Sequence, residues 1–332
     1  MTPASRKPAG LIDVHHHILP PDYVAAVGAD YIGSQGSSGR LPKWNLGESL
    51  ELMDEAGIAA AIVSISSPGV GSLAYDSALA VARKANEFAA NMTTLHPSRF
   101  GMFATIPLRG DDHAAKSIDA SIEEVRFALD ELDADGICLL SNYHGKYLGD
   151  ALFAPLHEYL EHRGAVVFVH PTLPSTRLDI SGLSQSMLEF PFETTRTITT
   201  LLVEGVIAST PSVRWIFSHA GGAFPYLVGR LEVLLRNNKR LSEQLGGNLY
   251  ELVKGLYFDM ALSVDAAHMN SLLSVVPPSH VLFGSDYPFG PPGQMSDTSS
   301  RLKNLDGLED VRAALTAESD TSLFRRFHAH AQ

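Results

Sequence analysis

Eight short apolar runs, each followed by a segment of helical periodicity, constrain the fold of this chain more than any other feature. The first run ends at residue 17, and the others cover 60–66, 100–107, 135–140, 165–170, 213–219, 256–261 and 281–285. They are apolar throughout rather than alternating, which is typical of parallel strands buried on both faces. The repeated alternation predicts an α/β fold, a (β/α)8 TIM-like barrel.

A doubly wound parallel sheet is the structural alternative. It is disfavoured because no glycine-rich nucleotide-binding loop follows the first run. We expect one domain over 1–332, since no linker or internal repeat interrupts the pattern. Two stretches are predicted to be insertions. Residues 21–45 follow the first strand and are expected to be irregular. Residues 171–192 follow the fifth strand, and a helix is predicted over 193–208 directly after them.

Charge and composition disfavour several classes of partner and location. The 332 residues carry a formal net charge of −12, which argues against nucleic acid or an anionic membrane surface. No apolar run reaches the roughly 18–20 residues of a membrane helix, and the first ten residues lack the apolar segment of a secretion signal. The single cysteine, Cys138, precludes an internal disulfide and is expected to be buried in a strand. These features predict a cytoplasmic protein.

Polar side chains recur where the predicted strands end, which is where barrels carry their chemistry. His15 and His17 share one face of the first strand. His170 ends the fifth strand, His219 ends the sixth, and Asp286 follows the eighth. Three imidazoles and a carboxylate suit Zn²⁺, or Mn²⁺ and Fe²⁺ with added water, and these five residues include such a set, so the pattern predicts a metal site. The fourth strand ends in leucines and offers no bridging Lys or Glu, so we expect one metal per chain.

Four stretches of the sequence resemble the amidohydrolase superfamily, and more narrowly its decarboxylase branch. They are IDVHHHILP at 12–20, the run at 44–54, SHAGGAFPYLVGR at 218–230 and LFGSDYP at 282–288. The branch includes aminocarboxymuconate semialdehyde, γ-resorcylate and 6-methylsalicylate decarboxylases. The resemblance implies a TIM-like barrel, a single Zn²⁺ or Mn²⁺ and non-oxidative removal of CO₂.

The resemblance also implies roles for individual residues. The residues that match the metal ligands are His15, His17, His170 and Asp286. His219 matches a catalytic histidine, and either His219 or Asp286 is expected to deliver the proton. Arg230 matches an arginine that reaches the substrate of a neighbouring subunit, which implies a homodimer or a larger homo-oligomer.

Several further residues have both a functional and a plain structural interpretation. Trp44 is either a pocket wall or a core tryptophan. Phe190 and Phe192 are expected to wall an aromatic pocket. Glu193 is expected to be a favourable charge at a helix start, with a hydrogen bond to a ligand histidine as the alternative. His16 is predicted to be structural.

The function that the resemblance implies is metal-dependent decarboxylation of a small aromatic carboxylate. Ser49 stands where the muconate enzyme has a second arginine that binds carboxylate, so a salicylate-type ortho-hydroxybenzoate with one carboxylate, such as 6-methylsalicylate, fits better than a dicarboxylate. The alternative is a metal-dependent hydrolase that opens a lactone or amide on the same barrel. A non-catalytic metal-binding protein is the third class. No role is assigned to His144 or His268.

Overall fold

Eight parallel strands form the centre of the computed structural model, which describes residues 10–176, 180–316 and 323–327. In chain order they are β1 (Leu11–His17), β2 (Ile58–Ser64), β3 (Phe100–Thr105), β4 (Gly136–Leu140), β5 (Val166–His170), β6 (Arg214–Phe217), β7 (Tyr257–Asp259) and β8 (Val281–Leu282). Each strand pairs in parallel with the next one in the chain. The predicted α/β barrel is therefore confirmed.

Backbone hydrogen bonds close the sheet between β8 and β1. The amide of Val14 donates to the carbonyl of Phe283 over 3.0 Å, and the amide of Asp286 donates to the carbonyl of His15 over 2.9 Å. This closure places the segment after β8 beside the carboxyl end of β1. Asp286 is thereby brought next to the two histidines that the first strand presents on one face.

Helices surround the barrel between the strands. They are α1 (Pro21–Val27), α2 (Ala29–Gln35), α3 (Leu46–Ala56), α4 (Tyr75–Leu95), α5 (Ala114–Asp130), α6 (Ala154–Arg163), α7 (Gln185–Val203), α8 (Val206–Ser209), α9 (Phe224–Arg236), α10 (Lys239–Leu245), α11 (Leu249–Lys254), α12 (Ala266–Leu273), α13 (Gln294–Asn304) and α14 (Glu309–Thr316). None of the helices described has the length and hydrophobicity needed to cross a bilayer. Segment 1–9, for which no secretion signal is predicted, lies outside the described residues, as does 177–179 in the second predicted insertion.

The inside of the barrel is an apolar core that is closed at one end by the C-terminal segment. Phe103 and Phe168 stack inside the barrel with ring centroids 5.4 Å apart. Phe324 packs on Phe103 at 5.9 Å, and Arg326 donates to Asp135, just before β4, over 3.0 Å. The amino-terminal end of the barrel is therefore plugged. The polar groups lie at the opposite, carboxyl-terminal end, as this fold leads one to expect.

The prediction that 21–45 is irregular is wrong for the first half of this segment. Two seven-residue helices, α1 and α2, occupy most of 21–35. Pro21 stands at the first turn of α1, a favourable place because the proline lacks only an N–H that has no partner there. The helices are held by the burial of Tyr23 and Ile32, and each is too short to show a clear helical period in the sequence.

Helix α7 begins eight residues earlier than predicted and contains Pro191. A proline inside a helix removes one backbone hydrogen bond and is unfavourable there. Burial of Phe190 and Glu193 on this helix favours the longer helix instead. The consequence for the site is that Phe190 and Phe192 lie on a helix, not in a loop.

Candidate metal centre

Four side chains meet at the open end of the barrel, all of them buried: His15, His17, His170 and Asp286. One nitrogen or oxygen from each lies within 4.8 Å of the corresponding atoms of the others. The Nε2 atoms of His15 and His17 are 3.3 Å and 3.4 Å from the same Asp286 oxygen, Oδ1. The family resemblance implied these four residues as a ligand set, and the closed barrel brings them together.

The arrangement fits a divalent metal ion. The Nε2 atoms of His15 and His17 are buried, and neither has a hydrogen-bond partner. Burial of a polar atom without a partner is costly and rare in native proteins. Because both atoms face the Asp286 carboxylate, a cation between them would satisfy all three groups. Three imidazole nitrogens and one carboxylate oxygen form a typical ligand set for such an ion.

The other ring nitrogen of each histidine is held by a neighbouring group. His15 Nδ1 donates to Asp259 Oδ2 over 2.8 Å, and His170 Nδ1 donates to the carbonyl of Pro171 over 2.7 Å. His17 Nδ1 lies 3.2 Å from the Ser64 hydroxyl. Bonds of this kind direct each Nε2 toward a metal and fix the orientation of the ring. His170 Nε2 lies 3.5 Å from the Ser66 hydroxyl.

Asp259 was missed by sequence reasoning, although a signal for it existed. It is the last residue of β7 and follows apolar residues in LYFDMA. The predicted strand extended to residue 261, which placed Asp259 inside it, whereas the strand ends at Asp259. Its partner His15 lies 244 residues away in sequence, so the sequence alone does not reveal the contact.

Burial and two carboxylates set the charge of the cluster. Burial lowers the pKa of His15, but the negative charges of Asp259 and Asp286 outweigh it and raise that pKa to about 10. Burial lowers the pKa of His17 and of His170, so both are neutral at pH 7. Burial would raise the pKa of Asp286, but the nearby imidazole of His15 holds it well below its usual range.

His219 lies beside this cluster without completing it. Its Nε2 is 3.7 Å from Asp286 Oδ2, and its buried Nδ1 has no hydrogen-bond partner. The backbones of His219 and Asp286 have φ values of 55° and 61°, a left-handed conformation that is uncommon for residues with a side chain. Such strain is often found at functional sites. Asp286 and His219 both line a cavity at this end of the barrel.

A cavity of about 320 Å³ opens onto the cluster. The residues around it include His170, His219, Asp286, Met187, Phe190 and Phe289. The lining thus mixes apolar side chains, among them Leu262, with polar ones such as Gln35, Ser66 and Ser263. Among the described residues lining this cavity, none is a lysine or an arginine.

Of the residues predicted to bind substrate, only Phe190 lines this cavity. Phe192 is 40% exposed because residues two apart on a helix point about 200° apart. Trp44 packs edge-on against Phe88 with ring centroids 5.9 Å apart, which corresponds to its structural interpretation. Arg230 is exposed on α9.

The contacts of Ser49 and His16 bear on two further sequence interpretations. Ser49 is fully buried and its hydroxyl lies 2.8 Å from His16 Nε2, so it does not face the cavity. His16 is bound on its other nitrogen by Asp13 at 3.1 Å, which agrees with the structural role predicted for it. The position of Ser49 therefore gives no direct contact that would select between substrates.

Glu193 has neither of the two roles considered for it. It lies inside α7 and is fully buried. Its carboxylate accepts hydrogen bonds from Asn142 Nδ2 over 2.7 Å, Tyr147 OH over 2.6 Å and Arg196 NH1 over 2.9 Å. These bonds tie α7 to the segment after β4. Glu193 therefore supports the helix that carries Phe190.

The two histidines without an assigned role occupy different surroundings. His268 lines the cavity and is hydrogen-bonded to Asp265. His144 accepts a long hydrogen bond of 3.4 Å from the amide of Gly110 and is not among the residues that line the cavity.

Comparison with known proteins agrees with this geometry. The amidohydrolase family model matches residues 12–319. Decarboxylase yanB of Aspergillus niger is 37% identical over 95% of this chain and 88% of its own length. The 6-methylsalicylic acid decarboxylase of Penicillium expansum is 34% identical over 95% of this chain and 96% of its own.

A solved structure extends the likeness to the fold. A mutant of the 5-carboxyvanillate decarboxylase of Novosphingobium aromaticivorans, with bound manganese, has a TM-score of 0.81 at 19% identity, covering 97% of this chain and 98% of that one. The family model covers nearly the whole barrel, and both relatives exceed 30% identity over most of the chain. Together with the buried His/Asp cluster at the open end of the barrel, these findings show that the chain belongs to the amidohydrolase family.

Proposed function

We propose that this protein is a metal-dependent decarboxylase that releases CO₂ from an ortho-hydroxybenzoate such as 6-methylsalicylate. The observation that carries the proposal is a cluster of four buried groups that could hold a metal ion, next to a small cavity lined in part by Phe190 and Phe289. The relative named for 6-methylsalicylic acid, at 34% identity over almost all of both chains, supports this substrate class. A volume of about 320 Å³ is at the lower end of ligand pockets and suits a single-ring substrate.

The metal ligands in this proposal are His15, His17, His170 and Asp286, with one ion per chain. Three imidazole nitrogens favour Zn²⁺, whereas the manganese in the 5-carboxyvanillate decarboxylase supports Mn²⁺. A bound divalent ion would hold the substrate's carboxylate and ortho oxygen together and stabilise negative charge.

The chain's own groups would orient the ring and supply a proton. Phe190 and Phe289 would hold the flat ring between apolar surfaces and exclude water. The Asp286–His219 pair would deliver a proton to the ring carbon that carries the carboxylate. Cleavage of the C–C bond then returns its electron pair to the ring and releases CO₂, with no net consumption of water.

We further propose a cytoplasmic homodimer in which Arg230 of one subunit completes the site of the other. The described lining of the cavity supplies no lysine or arginine for an anionic substrate. Arg230 is exposed on α9, and Tyr226 and Leu234 on the same helix are 83% and 54% exposed. An exposed helix face of this kind would suit contact with a second subunit.

Metal analysis combined with CO₂ release from a panel of salicylates tests the proposal. We expect one metal per chain and a preference for a monocarboxylate with an ortho hydroxyl group. The reaction in ¹⁸O-labelled water separates the hydrolase alternative, since a hydrolase places the label in its product. Label in the organic product without CO₂ release would refute decarboxylation, and two metals per chain would refute the mononuclear site.

A further inference from the structure

Asp259 is a buried carboxylate that is neither among the four converging metal-binding groups nor part of the cavity wall. Its side chain is inaccessible to solvent. Oδ2 accepts a hydrogen bond from His15 Nδ1 over 2.8 Å. Oδ1 accepts from two backbone amides, those of His219 over 3.0 Å and Ala261 over 2.8 Å. One carboxylate thus contacts both a proposed metal ligand and the backbone of the proposed proton donor.

We propose that Asp259 is a positioning residue that sets metal affinity through His15 and holds His219 in place. The inference rests on the proposed ligand role of His15. A carboxylate only accepts hydrogen bonds, so contact with Asp259 requires the proton of His15 to be on Nδ1. The Nε2 lone pair is then directed at the metal, as in other carboxylate–histidine–metal arrangements.

The surroundings of Asp259 leave it little freedom to reorient. Both lone-pair regions are engaged, Oδ1 by two amides and Oδ2 by an imidazole. Gly284 lies against this pair: a Cβ atom there would be 2.9 Å from His15 Cβ and 3.0 Å from Asp259 Cβ. The backbone at Gly284 therefore packs closely against the contact between Asp259 and His15.

Two substitutions separate the two contacts. In Asp259→Asn, the amides of His219 and Ala261 require an acceptor, so the amide oxygen takes the place of Oδ1. The NH₂ group then faces His15 Nδ1, which accepts a hydrogen bond only if the His15 proton moves to Nε2. In Asp259→Ala both contacts are lost. Asparagine therefore disturbs the metal side alone, whereas alanine also releases the His219 backbone.

Chelator competition with Zn²⁺ measures the effect on metal affinity without using activity. We expect Asp259→Asn to weaken zinc binding by about 10- to 100-fold, the range for loss of a partner of a ligand histidine. At saturating zinc, its kcat should exceed that of Asp259→Ala, because only the alanine variant loses the bond to the His219 amide. Glu124→Gln is the matched control, since Glu124 is also a buried carboxylate but contacts Arg83 and Asn86; it should bind zinc as the wild type does.

Zinc binding by Asp259→Asn within twofold of the wild type would overturn the inference. Should either variant fail to fold, ¹⁵N-histidine NMR of the zinc-loaded wild type provides the test. Its His15 should carry a proton on Nδ1, and a proton on Nε2 would overturn the inference. Both readouts are independent of turnover, so loss of zinc affinity in a protein without decarboxylase activity would support this role and refute only the proposed function.

Discussion

We predict that a single methyl group added at Gly222 pushes apart two segments of the candidate site, the turn that carries His219 and helix α7. Gly222 follows the turn that carries His219 and lines the cavity. A Cβ atom at Gly222 would lie 2.0 Å from the carbonyl oxygen of Pro191 in α7. That oxygen is a backbone atom and cannot rotate away. Gly222→Ala must therefore push α7, which carries Phe190, away from the turn.

The cost can be estimated from two contributions. Gly222 has φ 61° and ψ −126°, a region that residues with a side chain rarely adopt, which costs about 1–3 kcal/mol. Overpacking against a fixed neighbour adds about 1–3 kcal/mol, so the sum is roughly 2–6 kcal/mol. Gly307 also has a positive φ, 82°, but a Cβ atom there would meet nothing within 4 Å. Gly307→Ala should therefore cost only about 1–2 kcal/mol, the left-handed backbone penalty alone.

Thermal unfolding and kinetics of the two metal-loaded variants test this comparison. We expect Gly222→Ala to melt below Gly307→Ala and to lose about 100-fold in kcat/KM, the scale of a 1 Å misplacement of a positioned substrate. Its metal content should be unchanged, because the four proposed ligands lie on other segments. Equal stability and equal kcat/KM for the two variants would refute the close approach of α7 to the His219 turn.

Three other predictions address the proton donor, the pH response and the subunit contact. His219→Ala should keep its metal but lose about 100-fold or more in kcat, measured by metal analysis and CO₂ release; near wild-type turnover would make His219 structural. Burial lowers the pKa of His157 from 6.5 to about 4. As pH drops below about 6.5, His157 binds a proton in the unfolded chain but not in the folded one, so the free energy of unfolding falls. His157→Phe should remove about 2 kcal/mol of the loss between pH 7 and pH 5, and an unchanged dependence of Tm on pH would contradict this. Arg230→Ala should raise KM or weaken the dimer, which sedimentation and assays at rising protein concentration distinguish; a fully active wild-type monomer would exclude the shared site.

Local periodicity was enough to predict the barrel. Short apolar runs and helical segments report on burial within one element, and their alternation restricts the topology to few choices. The same reasoning placed four histidines and Asp286 together, because the carboxyl ends of all eight strands meet at one end of a barrel. The family resemblance then implied which four of these five residues are the metal ligands. His15 and Asp286 lie near opposite ends of the chain, yet their positions at strand ends were sufficient to predict that they lie close together.

Contacts between side chains required the tertiary structure. The rotation of α7 about its axis directs Phe190 into the cavity and leaves Phe192 exposed, and the start of that helix depends on burial that a local pattern with Pro191 does not reveal. Ser49 faces His16 instead of the cavity. Such details depend on packing angles between elements, which the sequence of one element does not specify.

Asp259 shows most clearly which features the sequence determines and which require the tertiary structure. The sequence shows an acidic residue within an apolar run, but the strand end at Asp259 and its bonds to His15 and to the His219 amide appear only in the folded structure. Hydrogen-bond partners depend on distances of a few tenths of an ångström between atoms remote in the chain. The sequence alone therefore determined the fold and the region of the chemistry, whereas only the folded barrel decided which groups hold the histidines in place.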